Sequence, residues 1–202
     1  MKLMKQIEVL VLLLLTGVLG WSTTLEAGTI KGKVTVRGAR DARDVVVYID
    51  KVPGEFKPPK EPVKMDQKNM VFIPHVLPVL AGTTVEFLNN DDVLHNVFTP
   101  DKCADKFNLG SWPKGQSRSY TFKEPGCVAV ILCNVHPEME AWVVTLQNPY
   151  FFKTDKDGAF TIEDVPAGKY TLKVWHKKLK GKPQEIEVPA DGEVTVSIQM
   201  KR

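Results

Sequence analysis

Histidine and cysteine are scarce in this chain, with four and three among 202 residues. An enzyme built around two or more metal centres needs further histidine clusters than that, and no nucleophile–base pairing of a hydrolase is visible, so the chain is not expected to be an enzyme or to take a small-molecule substrate. Amphipathic helical periodicity is also missing beyond a turn or two. Charge is nearly balanced at +3, and it stays there without residues 1–27, where Lys2 and Lys5 offset Glu8 and Glu26. A nucleic-acid partner calls for a concentrated basic face and is not expected. The one local excess, Lys177-Lys178-Leu179-Lys180-Gly181-Lys182, reads as a solvated loop. Attraction to an acidic partner or an anionic surface is its alternative.

What is present begins with an export signal. Two lysines in Met1–Lys5 precede an apolar stretch that runs to about Leu19, shorter than the roughly 20 residues a membrane span needs. Leu25-Glu26-Ala27 offers a cleavage site, so residues 1–27 are expected to be removed and the protein to reach the periplasm, an uncleaved anchor being the alternative. No cysteine follows the apolar stretch until Cys103, which rules out a lipid-modified cysteine there.

The remainder alternates like β-structure. Thr29–Val36 and Val45–Ile49 read as strands and are followed by a proline-rich connector over 51–63. Beyond Pro149 further strands are expected at Ala159–Ile162, Lys169–Val174 and Glu193–Ile198, with turns at Asp155-Lys156-Asp157-Gly158 and Pro166-Ala167-Gly168. The fold class is all-β.

The chemistry is concentrated in Cys133-Asn134-Val135-His136-Pro137-Glu138-Met139, where a thiol, an imidazole and a thioether recur every three residues, and in His95 upstream. Cys133 by itself is ambiguous, because it follows the apolar run Val128–Leu132 and a buried cysteine is often a small hydrophobe. The spacing shifts the balance: a tight loop after a strand can bring all three side chains to one point, and Pro137 limits its continuation as regular sheet. One thiolate, two imidazoles and a weak axial thioether suit copper in both oxidation states. A zinc site of His95, Cys103, Cys133 and His136 is the alternative, but it leaves Met139 without a purpose.

These residues, with Phe72-Ile73-Pro74, Ala81–Asn90 and His95-Asn96-Val97, resemble the cupredoxins. The Cys-x2-His-x2-Met loop is similar to that of amicyanin, and the strand order to plastocyanin-like proteins of the methylamine-utilisation type. The resemblance spans residues 64–147 and implies a Greek-key β-sandwich holding one type 1 Cu(I)/Cu(II) ion on His95, Cys133, His136 and axial Met139. It also implies that Asn96 ties the ligand loops together, with its N–H on the Cys133 sulfur, and that His136 is the surface ligand within an apolar collar drawn from Phe98, Pro100, Trp112 and Pro137. The C-terminal turns resemble a carboxypeptidase regulatory-like, transthyretin-type sandwich. Its opening strands match Gly32-Lys33-Val34 and Val45–Ile49, so a second, smaller and discontinuous sandwich of 29–50 and 148–202 is expected, with the cupredoxin inserted, three units in simple series being the alternative.

Three cysteines in an exported chain leave one to be explained. If Cys133 binds metal, Cys103 and Cys127 are free to pair in an oxidising compartment, two free thiols being the alternative. Cys127 is no ligand candidate, since six strand residues at about 3.3 Å each put it about 20 Å from Cys133. The expected role is single-electron transfer with a redox partner such as a c-type cytochrome or a periplasmic dehydrogenase. Copper handling without a shuttle role is the second reading. His75 and His176 are expected to be structural or solvent-facing.

Overall fold

The computed structural model describes residues 26–202; the expected signal segment lies outside the described residues up to Leu25. The chain opens with strands β1 (Ala27–Arg37) and β2 (Val46–Ile49). Nine strands follow: β3 (Val63–Lys68), β4 (Val71–Ile73), β5 (Val76–Leu80), β6 (Thr83–Asn89), β7 (His95–Phe98), β8 (Asn108–Trp112), β9 (Ser117–Phe122), β10 (Val128–Leu132) and β11 (Glu140–Leu146). Six close the fold: β12 (Phe151–Lys153), β13 (Ala159–Pro166), β14 (Gly168–Trp175), β15 (Lys180–Gly181), β16 (Gln184–Val188) and β17 (Glu193–Lys201). The fold is all-β, and no helix among the described residues is long and apolar enough to cross a membrane.

Four sheets result, with strand orders β13-β1-β17-β15, β12-β2-β14-β16, β5-β11-β10-β7-β8 and β4-β3-β6-β9. Both strands that precede residue 50 pair only with strands that follow residue 150: β1 with β13 and β17, β2 with β12 and β14. β1 and β17 are parallel and in register from Thr29↔Glu193 to Arg37↔Lys201. The connectors out of and back into this pair of sheets lie side by side. The Val52 N–H donates to Gln147 Oε1 and Gln147 Nε2 to the Val52 carbonyl, both at 3.1 Å, and Asn148 Nδ2 donates to the Ile49 carbonyl at 2.9 Å.

Three apolar layers separate the four sheets. Ile30, Val47, Ile49, Phe160, Leu172 and Met200 fill the first, Met65, Phe87, Trp112, Ala129, Ile131 and Val143 the third. Between them lies a layer of Val46, Val76, Val144 and Leu146 edged by Tyr48, Trp142 and Trp175. The strand period of two explains this stacking. In β2, Val47 and Ile49 face the first layer while Val46 and Tyr48 face the middle one; in β11, Ala141 and Val143 face the third layer while Trp142, Val144 and Leu146 face the middle. Sheets covered on both faces read as unbroken apolar runs rather than alternation, which is how Val45–Ile49 and Ala141–Val144 read.

The turns expected from the C-terminal motifs have physical grounds. Gly158 sits at φ +74, where a side chain would meet the Val34 carbonyl and the Ala42 methyl, and Asp155 Oδ1 accepts the N–H groups of Asp157 and Gly158. The Tyr170 hydroxyl donates to the Pro166 carbonyl at 3.0 Å, closing the second turn. The lysine run is not one solvated loop: Leu179 is buried, Lys180 enters β15, and Lys177 turns inward to donate to Glu140 Oε1 at 2.7 Å and His75 Nε2 at 3.2 Å.

Candidate metal centre

Cys133 continues the inward parity of β10 one step beyond the strand, after Ala129 and Ile131, and is 2% exposed. His95 opens β7, points the same way as buried Val97 and is itself fully buried. β10 and β7 are neighbours in one sheet, so two chain segments far apart in sequence deliver a thiol and an imidazole to the same end of the core. The chain then leaves the sheet. The Met139 N–H donates to the His136 carbonyl at 3.0 Å, closing a turn with Pro137 at its second position, where the fixed proline φ is favourable. That turn folds His136 back over His95, ring centroids 4.7 Å apart.

His95, Cys133 and His136 thereby present three donor atoms in a triangle. The two Nδ1 atoms are 3.0 Å apart, and Cys133 Sγ stands 4.0 Å from His95 Nδ1 and 3.9 Å from His136 Nδ1. Bonds of about 2.0 Å to nitrogen and about 2.3 Å to sulfur, as for a first-row ion such as zinc, sum to more than each of these edges. One ion can therefore reach all three donors, and the set fits a metal.

The surroundings fix the donors' chemical form. Asp91 Oδ2 lies 2.8 Å from His95 Nε2 on the far side of the ring, which holds the proton there and leaves Nδ1 as the free lone pair. Asp91 is itself held by the N–H groups of Asn69, at 2.7 Å, and Met70, at 2.9 Å. Burial pushes its carboxyl upward, but the bonds from Met70, His95 and Asn69 outweigh this and hold it below the usual carboxylate value. The Asn96 N–H donates to Cys133 Sγ at 3.4 Å, and its side chain links three segments, donating to Asn108 Oδ1 and the Gly110 carbonyl and accepting from the Asn134 N–H.

Met139 is buried at 1% exposure in the same core, directly after the His136 turn. Cys103 and Cys127 form a disulfide with Cα atoms 5.6 Å apart, so Cys103 is no part of the triangle and the closed two-cysteine zinc site is ruled out. Cys133 is the free cysteine. Trp112 is fully buried core and no collar residue, because β8 turns it inward at its last position. The exposed apolar side chains next to the ligands are instead Val93 and Leu94 before His95 and Val135 before His136, with Pro137 also exposed and Phe98 and Pro100 at the other end of β7. His136 is the partly exposed member of the triangle. His75 Nδ1 bonds Asp44 Oδ2 at 3.0 Å and His176 caps the turn before β15, both away from the triangle. Asp91 carried no sequence signal, as it stands beside Asp92, whose side chain is 88% exposed against 14% for Asp91.

Residues 60–147 match the family of copper binding proteins, plastocyanin/azurin family. That segment is a cupredoxin domain. Among solved structures similar to the chain, an amicyanin variant in the Cu(I) state is 28% identical, over 42% of this chain and 81% of that one, with a TM-score of 0.39. A purple cupredoxin from Nitrosopumilus maritimus is 24% identical over 41% and 98%, with a TM-score of 0.37. The copper-containing nitrite reductase of Thermus scotoductus SA-01 is 23% identical over 57% of this chain but only 28% of its own length, at 0.41. No curated protein matches the chain. Residues 127–196 match polysaccharide lyase family 4, domain II, in place of the carboxypeptidase regulatory-like sandwich expected from the turns. The correction has a simple cause: Asp-x-Asp-Gly and Pro-x-Gly-x-Tyr are turn chemistry, which β-sandwiches of different families share.

Proposed function

We propose that this protein carries single electrons through one type 1 copper ion held by His95, Cys133 and His136, with Met139 as the weak axial ligand. The observation that supports it is the triangle of two imidazole nitrogens and one thiol, buried at His95 and Cys133 and partly exposed at His136, with a backbone N–H on the sulfur and a carboxylate behind His95. Bound copper supplies the one-electron couple, which a mixed sulfur and nitrogen donor set stabilises in both states. The chain supplies the rest. Asn96 and Asp91 hold the donors in place whether or not an electron is present, so little has to move when charge changes. His136, partly exposed between Val135 and Pro137, offers the edge through which an electron leaves, and the apolar side chains beside it suit brief contact with a redox protein such as a c-type cytochrome or a dehydrogenase. Burial of His95 and Cys133 favours a carrier over a copper-handling role, because two of the three donors are closed to an exchanging partner. The export signal expected over residues 1–27 supports the periplasm as the place of this activity.

The test is a visible absorption spectrum after one equivalent of Cu(II) is added to the purified protein, beside Cys133→Ser. An intense thiolate charge-transfer band, bleached by a mild reductant and missing from the variant, is expected. A colourless protein that holds zinc as tightly overturns the reading.

A further inference from the structure

The outer face of the β13-β1-β17-β15 sheet carries a row of like charge. Arg37 of β1 is paired with Lys201 of β17, and Lys201 with Lys180 of β15, so three cations stand side by side across three adjacent strands. All three are exposed, while their neighbour Met200 points into the core. Next to the row is an open depression of about 510 Å³ lined by Lys180, Lys182, Gln184, Ser197, Gln199 and Lys201, without a carboxylate. Among the described residues none of these cations forms an ion pair, although the same two strands pair Lys31 with Glu193 at 2.5 Å at their other end. Asp155 and Asp157 precede β13, on the opposite flank of β1. Like charges directly opposite one another in a sheet destabilise it, so the fold keeps a repulsive row where a neutral one costs nothing.

We propose that this face docks onto the phosphate headgroups of an anionic lipid bilayer. Charge complementarity selects a phosphate surface, and the absence of an apolar centre selects lipid over protein. Interfaces with proteins are built on buried aromatic and aliphatic side chains, whereas the large exposed apolar residues here, Met70, Val71, Ile73, Val93, Leu94, Val135 and Phe152, all lie on other sheets and loops. Lysine and arginine near an anionic leaflet each strengthen attachment without inserting. The sheet is one of the two outermost in the stack of four, with a whole sheet and the middle apolar layer between it and the cupredoxin domain, so a bilayer held there leaves His136 free. The inference is independent of which metal the triangle binds.

The experiment is cosedimentation of the purified protein with vesicles of phosphatidylcholine, with and without phosphatidylglycerol, at low and high salt. Binding to the phosphatidylglycerol vesicles alone, lost at high salt, is expected. The triple variant Arg37→Gln, Lys180→Gln, Lys201→Gln is expected to bind roughly a hundredfold more weakly, about fivefold for each charge. Its unfolding midpoint should be no lower than the parent's, because repulsion has been removed. A control with Lys64, Lys102 and Lys123 changed to Gln keeps the parent's affinity. Equal binding to both vesicle types, or a triple variant that binds like the parent, overturns the proposal.

Discussion

Asp91 Oδ2 and His95 Nε2 are 2.8 Å apart, on the side of the imidazole that faces away from Cys133. The pair keeps the ring's inner nitrogen as a lone-pair donor for a metal and ties the ring, through the Asn69 and Met70 N–H groups on Asp91, to the turn after β3. Replacing Asp91 by Ala removes that support and strands two backbone donors. Copper affinity should fall by about 10- to 100-fold, the usual cost of losing such a partner. Asp91→Asn, which keeps an acceptor oxygen, should lose less. A competition titration against a chelator of known affinity checks both; unchanged affinity in Asp91→Ala would show that the ring is held by packing alone.

The Cys103–Cys127 disulfide bridges a sequence separation of 24 and anchors the turn before β10, the strand that ends at Cys133. Changing both cysteines to serine should cost about 3 kcal/mol of stability through freedom restored to the unfolded chain. Chemical denaturation of the two proteins measures the difference. The copper spectrum should survive, since neither sulfur belongs to the triangle.

Tyr120 is the residue to watch in alkali. Burial raises its phenol, the hydrogen bond to Asp105 at 2.9 Å raises it further, and together they push it from 10.0 up to about 12. A raised value means that the folded state favours the neutral phenol. That contribution is whole below pH 10 and disappears as pH climbs through about 12. Phenolate absorbance should show a late titrating step that Tyr120→Phe abolishes and Asp105→Asn moves to lower pH; a single step at the ordinary tyrosine value would contradict the assignment.

Lys177 joins the two halves of the stack, reaching from the segment after β14 to Glu140 at the start of β11 and lying 4.5 Å from the Trp142 ring centre. Its side chain is 20% exposed and that of Glu140 43%, so solvent screens the pair. A double-mutant cycle with Lys177→Met and Glu140→Gln should return a coupling of about 1 kcal/mol or less. A coupling of several kcal/mol would mean that the two sandwiches are held by this contact rather than by the apolar layer of Val46, Val76, Val144 and Leu146.

How much of this was open to a reader of the sequence differs from residue to residue. Cys133, His136 and Met139 were legible because their spacing within one loop is local, and the parity that buries Cys133 can be counted along Val128–Leu132. Gly158 was legible because its turn is written in four consecutive residues. Asp91 was not, since its selection over Asp92 depends on a hydrogen bond to the turn at Asn69 and Met70, which only the folded sheet brings near. Trp112 reads equally well as rim or core, because β8 is exposed for most of its length and turns inward only at the end. The middle apolar layer left a trace that is easily passed over: Val45–Ile49 and Ala141–Val144 are apolar at both parities, where a sandwich with one wet face would alternate.

The parallel register of β1 and β17 bears on how the molecule meets mechanical load. Tension applied to the two ends runs along these neighbouring strands in opposite senses, so nine paired positions from Thr29↔Glu193 to Arg37↔Lys201 resist it together in shear instead of opening one by one. The cupredoxin domain hangs between β2 and β12, off that line of force. Stretching would have to strip β1 from β17 before any strain reached His95, Cys133 or His136.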